Sequence, residues 1–242
     1  MSWREFGRLG PLWVRLVAMA KSAPVTTPGA QIVAVDSNHD APTTAAYKYR
    51  EANVYPYATS KGFVVAKCQG PMARRHYVAP AARQPGIEYI SGVGHGHADE
   101  YTGDWLQQVF KVGAYGAAEV KDRIVHFLSC DVALTLGPDF VSKGCLAFFG
   151  YDGPFTFLWS DADVFFECDS AIDVEFANGR TAADVHATVI NLFNRRIADF
   201  QLVGKIREAA TLQFDRDHLR SPLSGSQWGQ ATAKLQLTRA SP

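Results

Sequence analysis

Short apolar segments, each followed by glycine or other turn-forming residues, recur through the middle of the chain and constrain its fold more than any other feature. Strands of a parallel sheet have this near-continuous apolar character because helices cover both of their faces. Five such segments are predicted as strands, at 31–36, 62–67, 86–91, 123–128 and 145–149. Stretches long enough for helices separate them. The sequence therefore predicts an α/β fold with a mainly parallel sheet flanked by helices on both faces.

The remaining elements are predicted from capping residues and from the spacing of apolar residues. Thr181 is expected to cap a helix over 185–197, where apolar residues recur on one face. Further helices are expected at 44–52, 71–83 (broken near Pro80), 104–112 and in a short segment beginning near Pro138. Further strands are expected at 156–159 and 172–176. The segment after about residue 221 is expected to be mostly loop, with an edge strand at 233–238.

Length and charge are typical of one folded domain without a highly charged partner. The 242 residues include 24 Lys and Arg and 24 Asp and Glu, so the formal net charge is zero. That balance gives no overall attraction to nucleic acid or to an anionic membrane. We expect one α/β domain at 25–242, with its core at about 31–200. Residues 1–24 form a basic leader that is a candidate docking surface.

The cysteines and the apolar runs favour a cytoplasmic protein. Four well-separated cysteines, without the close spacing of a zinc or redox motif, are typical of a reduced compartment. Arg15 interrupts the apolar stretch 11–20, which excludes a signal-peptide core there. No apolar run approaches the ~20 residues that cross a membrane. Cys68, Cys145 and Cys168 lie in or beside apolar segments and are expected to pack in the core.

Two of the predicted strands end in reactive side chains, His95 and Cys130. The two residues are one strand–helix–strand crossover apart, and the carboxyl ends of neighbouring parallel strands face one cleft. A cysteine nucleophile needs a thiolate, and an adjacent imidazole can remove the thiol proton. Glycines flank His95. The backbone N–H groups of Gly96 and Cys130 are therefore candidates for binding an oxyanion.

These two blocks resemble the peptidase clan of caspases, gingipains, clostripain, separase and bacterial CHAT domains. The first block is Ile-Glu-Tyr-Ile-Ser-Gly-Val-Gly-His-Gly-His at 87–97, followed by Trp105, and it is similar to the gingipain version. The second is Val-His-Phe-Leu-Ser-Cys-Asp at 125–131. The segment Gly-Cys-Leu-Ala-Phe-Phe-Gly at 144–150, followed by Trp159, resembles what CHAT and gingipain domains have after the nucleophile. The resemblance covers roughly residues 31–200.

The resemblance implies a caspase-like domain that cleaves protein or peptide substrates through a thioester, without a cofactor. It assigns His95 as general base, Cys130 as nucleophile and Gly96 as an oxyanion contributor. Trp159, Asp161 and Asp163 fall where relatives form a wall of the substrate cleft. It also implies activation by a ligand, a regulatory protein or processing.

The sequence departs from its relatives at two points that concern specificity. Ser-Cys-Asp-Val at 129–132 replaces the caspase pentapeptide, and Leu128 stands where some arginine-specific relatives have an acid. The preferred residue on the amino side of the cleaved bond (P1) is therefore open.

Two other functions remain as alternatives. His95, His97 and Asp99 resemble part of the H-x-H-x-D-H zinc motif of metallo-β-lactamase-fold hydrolases, although Glu100 replaces its last histidine. His126 lies inside a predicted strand, where we expect buried support in preference to an auxiliary role in catalysis. His186 lies on the apolar face of a predicted core helix. Neither provides a convincing further zinc ligand. The other alternative is an inactive caspase-like module that only binds partners.

Overall fold

A computed structural model describes Thr27 and residues 29–236. The strands in chain order are β1 (Ile32–Asp36), β2 (Val65–Gln69), β3 (Tyr89–Val93), β4 (His95–His97), β5 (Glu100–Thr102), β6 (Gln108–Lys111), β7 (Ile124–Leu128), β8 (Ala147–Tyr151) and β9 (Leu219–Arg220). The α-helices are α1 (Ala41–Ser60), α2 (Arg75–Ala82), α3 (Leu136–Ser142), α4 (Ala162–Ala177), α5 (Ala182–Leu202) and α6 (Ile206–His218). The predicted leader, residues 1–24, lies outside the described residues.

Six of the strands form one sheet in the order β2-β1-β3-β7-β8-β9. The first five are parallel, and β9 is antiparallel to β8. This arrangement confirms the predicted α/β fold with a mainly parallel sheet. All five predicted strands are present, with bounds shifted by one to three residues. The carboxyl ends of β3 and β7 are neighbours because these two strands pair directly.

Both faces of the sheet are covered by helices, so consecutive strand residues pack into opposite layers. Ile32 and Tyr89 pack on the face covered by α1, α4, α5 and α6. Val33 and Ile90 pack on the face covered by α2 and α3. Every residue of β1, β3, β7 and β8 is buried for this reason. The buried core extends past residue 200, to Leu235.

The segment predicted as a helix at 104–112 is instead part of a three-stranded antiparallel sheet, β4-β5-β6. Trp105 and Leu106 have positive φ angles of 51° and 58°, which no α-helix accommodates. Strand β6 then buries Val109 and Phe110 completely. Pairing with β5 overrides the local helical spacing, and the helix prediction is wrong.

Three other predicted elements need correction. No strand forms at 156–159, and 172–176 belongs to α4 because Phe165, Ile172 and Phe176 recur at helical spacing and are buried on one face. No strand forms at 233–236, and the rest of that predicted edge strand lies outside the described residues. Helix α6 and strand β9 were not predicted.

The N-termini of α1 and α5 follow the capping chemistry of the sequence. Thr181 caps α5 as predicted, accepting a hydrogen bond from the Asp184 N–H at 3.2 Å. Helix α1 is longer than the predicted 44–52 and begins at Ala41 because Asp40 caps it, accepting from the Thr43 N–H at 3.0 Å. Within the described residues, none of the helices combines the length and the apolar character needed to cross a membrane.

Candidate functional site

His95 lies directly beyond the carboxyl end of β3, where the chain turns into the small antiparallel sheet. Its backbone pairs with Thr102, whose hydroxyl donates to the His95 carbonyl at 3.0 Å. Gly94 permits this approach, because a Cβ there would lie 2.2 Å from the Thr102 carbonyl oxygen. The position of the imidazole is thus fixed by backbone contacts on both sides.

Asp40, which the sequence analysis did not identify, is the partner of His95. The His95 Nε2 lies 2.5 Å from Asp40 Oδ2. Partial burial raises the pKa of Asp40, but hydrogen bonds from Thr43 and His95 outweigh it and bring the pKa to about 2. Asp40 is therefore an anion at neutral pH. Its position before Ala-Pro, between a buried strand and a helix, was the available signal in the sequence.

Cys130 follows β7 by two residues and is half-buried. Its thiol lies 4.0 Å from the Phe155 carbonyl oxygen. Burial raises the pKa of this thiol, so the thiolate needs a base to form. Asp131, the next residue, has a φ of 61°, which turns the chain sharply after the thiol. Among the described residues, the Cys130 N–H donates to no backbone carbonyl and to no other side chain.

His95 and Cys130 line one pocket of about 320 Å³. The predicted pair is therefore brought together at the ends of β3 and β7. Most of the other lining side chains are apolar or aromatic: Pro42, Ala46, Val93, Leu128, Phe155, Phe157, Trp159 and Phe166. No Asp, Glu, Lys or Arg of the described chain lines it. The pocket joins a reactive pair to an apolar cavity.

Gly96 packs against the loop that carries the thiol. A Cβ at this position would lie 2.4 Å from Ser129 Oγ and 2.7 Å from the Cys130 carbonyl oxygen. Only glycine permits strand β4 to approach the loop so closely. Gly96 and Cys130, the two expected oxyanion contributors, are therefore neighbours.

The three expected substrate-binding residues do not lie together. Trp159 lines the pocket, and its ring is 4.9 Å from that of Phe157. Asp161 instead pairs with Lys205, with an Oδ1–Nζ distance of 2.5 Å. Asp163 is exposed on the first turn of α4. Neither of the two acids lines the pocket.

The histidines and the aspartate of the zinc-hydrolase alternative do not converge either. His97 is exposed at the end of β4, and Asp99 lies 3.6 Å from the Lys111 ammonium. Within the described chain, the metal-competent cluster is a different one, formed by His39, Asp40 and His95. One ligand atom from each of its three residues lies within 4.8 Å of the other two. The sequence analysis did not identify His39.

The remaining histidines that the sequence singled out have structural surroundings. His126 is fully buried, with ring nitrogens 3.2 Å from Asp169 and 3.3 Å from Asp173. Burial lowers its pKa, but the two carboxylates outweigh burial and raise the pKa to about 9. It does not line the pocket and is buried support. His186 is half-buried on α5, with Nδ1 2.8 Å from the Ser221 hydroxyl.

Asp215 on α6 supports the wall of the pocket from behind. Its Oδ1 accepts from the Thr156 N–H at 3.1 Å, while Oδ2 has no partner among the described residues. Burial raises the pKa of this carboxyl to about 8. It is therefore mostly neutral at pH 7. Sequence offered no signal for Asp215, which lies beyond the predicted core.

No protein-family model matches the sequence, and comparison with curated proteins finds no significant relative.

Proposed function

We propose that this chain is a cysteine peptidase of the caspase and gingipain type, with Cys130 as nucleophile and His95 as general base. The observation that carries the proposal is that these two side chains line one pocket at the ends of the neighbouring strands β3 and β7. Reactive groups at the carboxyl edge of a parallel sheet are a common location for active sites. In this proposal Asp40 orients the base, and backbone N–H groups bind the oxyanion.

Asp40 orients the base. The carboxylate accepts the Nε2–H of His95, which leaves Nδ1 of the ring unprotonated and able to accept the thiol proton. As that proton arrives, the anionic carboxylate stabilises the imidazolium. The thiolate then attacks the substrate carbonyl. When the tetrahedral intermediate collapses, the C–N bond breaks, and His95 returns the proton to the leaving amine.

The oxyanion of the intermediate needs donors that are not already used. The Cys130 N–H donates to no backbone carbonyl among the described residues, and Gly96 lies against the same loop. The thioester left on Cys130 is hydrolysed by water, with His95 removing one water proton. Thiol and imidazole are thereby regenerated.

The pocket favours an apolar side chain at P1. Arg or Lys would lose hydration there without finding a carboxylate, because no acidic side chain of the described residues lines the pocket. Asp215 behind the wall gives no compensation, since burial keeps it mostly neutral at pH 7. Phe155, Phe157 and Trp159 provide aromatic surfaces for a large apolar side chain.

A reducing compartment such as the cytoplasm fits this chemistry, because the nucleophile acts as a free thiol. All four cysteines of the described residues are free. Activation by a ligand, a regulatory protein or processing remains part of the proposal. The wall segment at 152–158 contains no helix or strand, and such segments are those that binding partners most readily reorder.

The test combines turnover with covalent labelling. Purified protein is incubated with peptide libraries that vary P1 among Phe, Leu, Ala, Arg and Asp, and with a peptidyl electrophile directed at thiols, with and without cell extract. We expect cleavage after Phe or Leu and one label on Cys130. Cys130→Ala is expected to lower turnover about 10⁴-fold or more while the protein stays folded.

Cys145→Ala is the matched control. Cys145 is fully buried, and burial raises its thiol pKa to about 12, so its removal should leave labelling unchanged. Turnover that persists in folded Cys130→Ala, or a label on another residue, would remove Cys130 from the mechanism. A protein that neither cleaves nor labels under any of these conditions supports the inactive binding module.

A further inference from the structure

A hydrogen-bonded chain beside the catalytic pair orients the ring of His39. The Ser37 hydroxyl lies 3.2 Å from the Gly103 carbonyl oxygen and 2.6 Å from His39 Nδ1. When the hydroxyl donates to Gly103, Nδ1 carries a proton and donates it to Ser37. In that tautomer of neutral His39 the other ring nitrogen, Nε2, is unprotonated and can bind a metal.

The unprotonated nitrogen faces an anion. His39 Nε2 lies 3.7 Å from Asp40 Oδ2, the same oxygen that His95 Nε2 approaches from the other side. A nitrogen lone pair and a carboxylate oxygen that face each other are two ligand atoms for one cation. No Lys or Arg of the described chain forms an ion pair with Asp40, whose ion-pair partners are the two histidines.

We infer that His39, Asp40 and His95 form a binding site for Zn²⁺. Two imidazoles and one carboxylate are a ligand set that zinc accepts, with water in the fourth position. Tetrahedral bonds of ~2.0–2.1 Å separate the ligand atoms by about 3.3 Å. The observed separations of 2.5 Å and 3.7 Å, with all three atoms within 4.8 Å, need shifts of roughly 1 Å. Zinc takes the place of the proton on His95 Nε2, which leaves to solvent.

The surroundings hold the ligands as zinc sites require. Ser37 fixes the ring of His39 through Nδ1, and Thr43 holds Asp40 through both its N–H and its hydroxyl. The exposed ring of Trp105 lies 5.8 Å from that of His39 and covers one side of the cluster. The imidazoles of His39 and His95 are 5.7 Å apart at 69°, so both rings converge on Asp40.

Bound zinc would switch the peptidase off, a consequence that rests on the proposed function. A zinc ion on Nε2 of His95 opposes a second positive charge on the same ring and lowers the basicity of Nδ1. Nδ1 then no longer accepts the thiol proton efficiently. Zinc also takes the Asp40 oxygen that stabilises the imidazolium. Asp40 and His95 thus serve either in proton transfer or, together with His39, as a metal site.

Zinc binding is tested on the full-length, reduced protein without substrate, by calorimetric titration with ZnCl₂. We expect one saturable site that His39→Ala weakens at least 10-fold. His97→Ala is the matched control and should bind as the unmodified protein does, because His97 lies outside the cluster. Cys130→Ala should also bind unchanged. Binding that survives His39→Ala, or that is lost in Cys130→Ala, overturns the inference, and so does absence of a saturable site.

A second measurement separates this inference from the proposed peptidase. Turnover of the unmodified protein should fall with ZnCl₂ over the range in which the site fills, and a chelator should restore it. Whatever turnover His39→Ala retains should resist the same zinc concentrations. Zinc binding at His39 in a protein without turnover supports the site and contradicts the peptidase. Turnover that zinc leaves unchanged while the site is filled contradicts the regulatory role of the cluster.

Discussion

The chain contains two places where a histidine lies beside aspartate, and the two differ in how far they are exposed to solvent. At the rim of the sheet, His95 is paired with Asp40, and its side chain is 37% exposed. In the core, His126 lies between Asp169 and Asp173 with none of its side chain exposed. A base must exchange protons with substrate and solvent, which only the rim arrangement permits. The buried histidine is a fixed positive charge, and its environment suits structure rather than proton transfer.

The buried arrangement continues into an ionic layer that connects the elements behind the site. Arg50 on α1 donates to Asp36 at 3.1 Å, to Asp173 at 2.8 Å and to Ser91 at 2.7 Å. Asp36 also accepts from the Val93 N–H at 3.1 Å. These contacts join α1, β1, β3 and α4. The helix that Asp40 caps and the strand that precedes His95 are therefore held by the same guanidinium.

Among the variants that test the difference between rim and core, Arg50→Met is expected to have the largest effect, on the free energy of unfolding. The change keeps much of the side-chain volume but leaves buried carboxylates without their cation, so unfolding free energy should fall by about 3–5 kcal/mol. Denaturant unfolding measures it. Lys67→Met is the control, since Lys67 pairs with Glu51 at the exposed surface and should change stability by about 1 kcal/mol or less. Similar losses in the two variants would mean that burial does not distinguish the two ion pairs.

The next effect is on the pH dependence of stability. The folded-state pKa of His126, about 9, lies above the ordinary value of 6.5. The contribution of His126 to the free energy of unfolding is therefore fully present below pH 6.5 and is lost as pH rises through 9. The loss is on the order of 3 kcal/mol. Unfolding free energies between pH 6 and 10 should fall along this window, and His126→Gln should remove the part of the slope between pH 8 and 9.

Asp215 provides the comparison for this experiment. The pKa of the Asp215 carboxyl is also raised, to about 8. Its contribution to the unfolding free energy is therefore lost as pH rises from about 4 to 8, a lower range than that of His126. Asp215→Asn should flatten the fall of the unfolding free energy over that lower range and leave its slope between pH 8 and 9. A slope between pH 8 and 9 that survives His126→Gln would show that the buried histidine is not charged.

The smallest effect is expected at the rim. Asp40→Asn removes the anion that orients His95 and should reduce kcat about 10–100-fold, less than the loss of a buried triad acid because Asp40 is 35% exposed. The measurement is kcat at saturating substrate, with the unfolding free energy followed beside it. Asp163→Asn, on the exposed first turn of α4, is the control and should leave kcat unchanged. An unchanged kcat in Asp40→Asn would assign Asp40 to helix capping alone.

What sequence could predict depended on how local each signal was. The five central strands and the positions of His95 and Cys130 follow from short apolar runs and the residues that end them. The small antiparallel sheet does not, because the burial of Phe110 depends on packing against Phe127 and Phe140, which lie on other elements. Asp40 and Asp215 were missed for the same reason. Each acquires its role from a partner 55 or 59 residues away.

The packing of Gly96 has a consequence for how this site can change in evolution. Every single substitution at position 96 adds an atom where Ser129 and Cys130 already lie, so the thiol loop must move before any other residue is accepted. Under the proposed function, movement of that loop would displace the nucleophile from its base. Descendants of this chain that keep the proposed activity are therefore expected to keep this glycine, while the apolar residues around the pocket are free to drift and alter substrate preference.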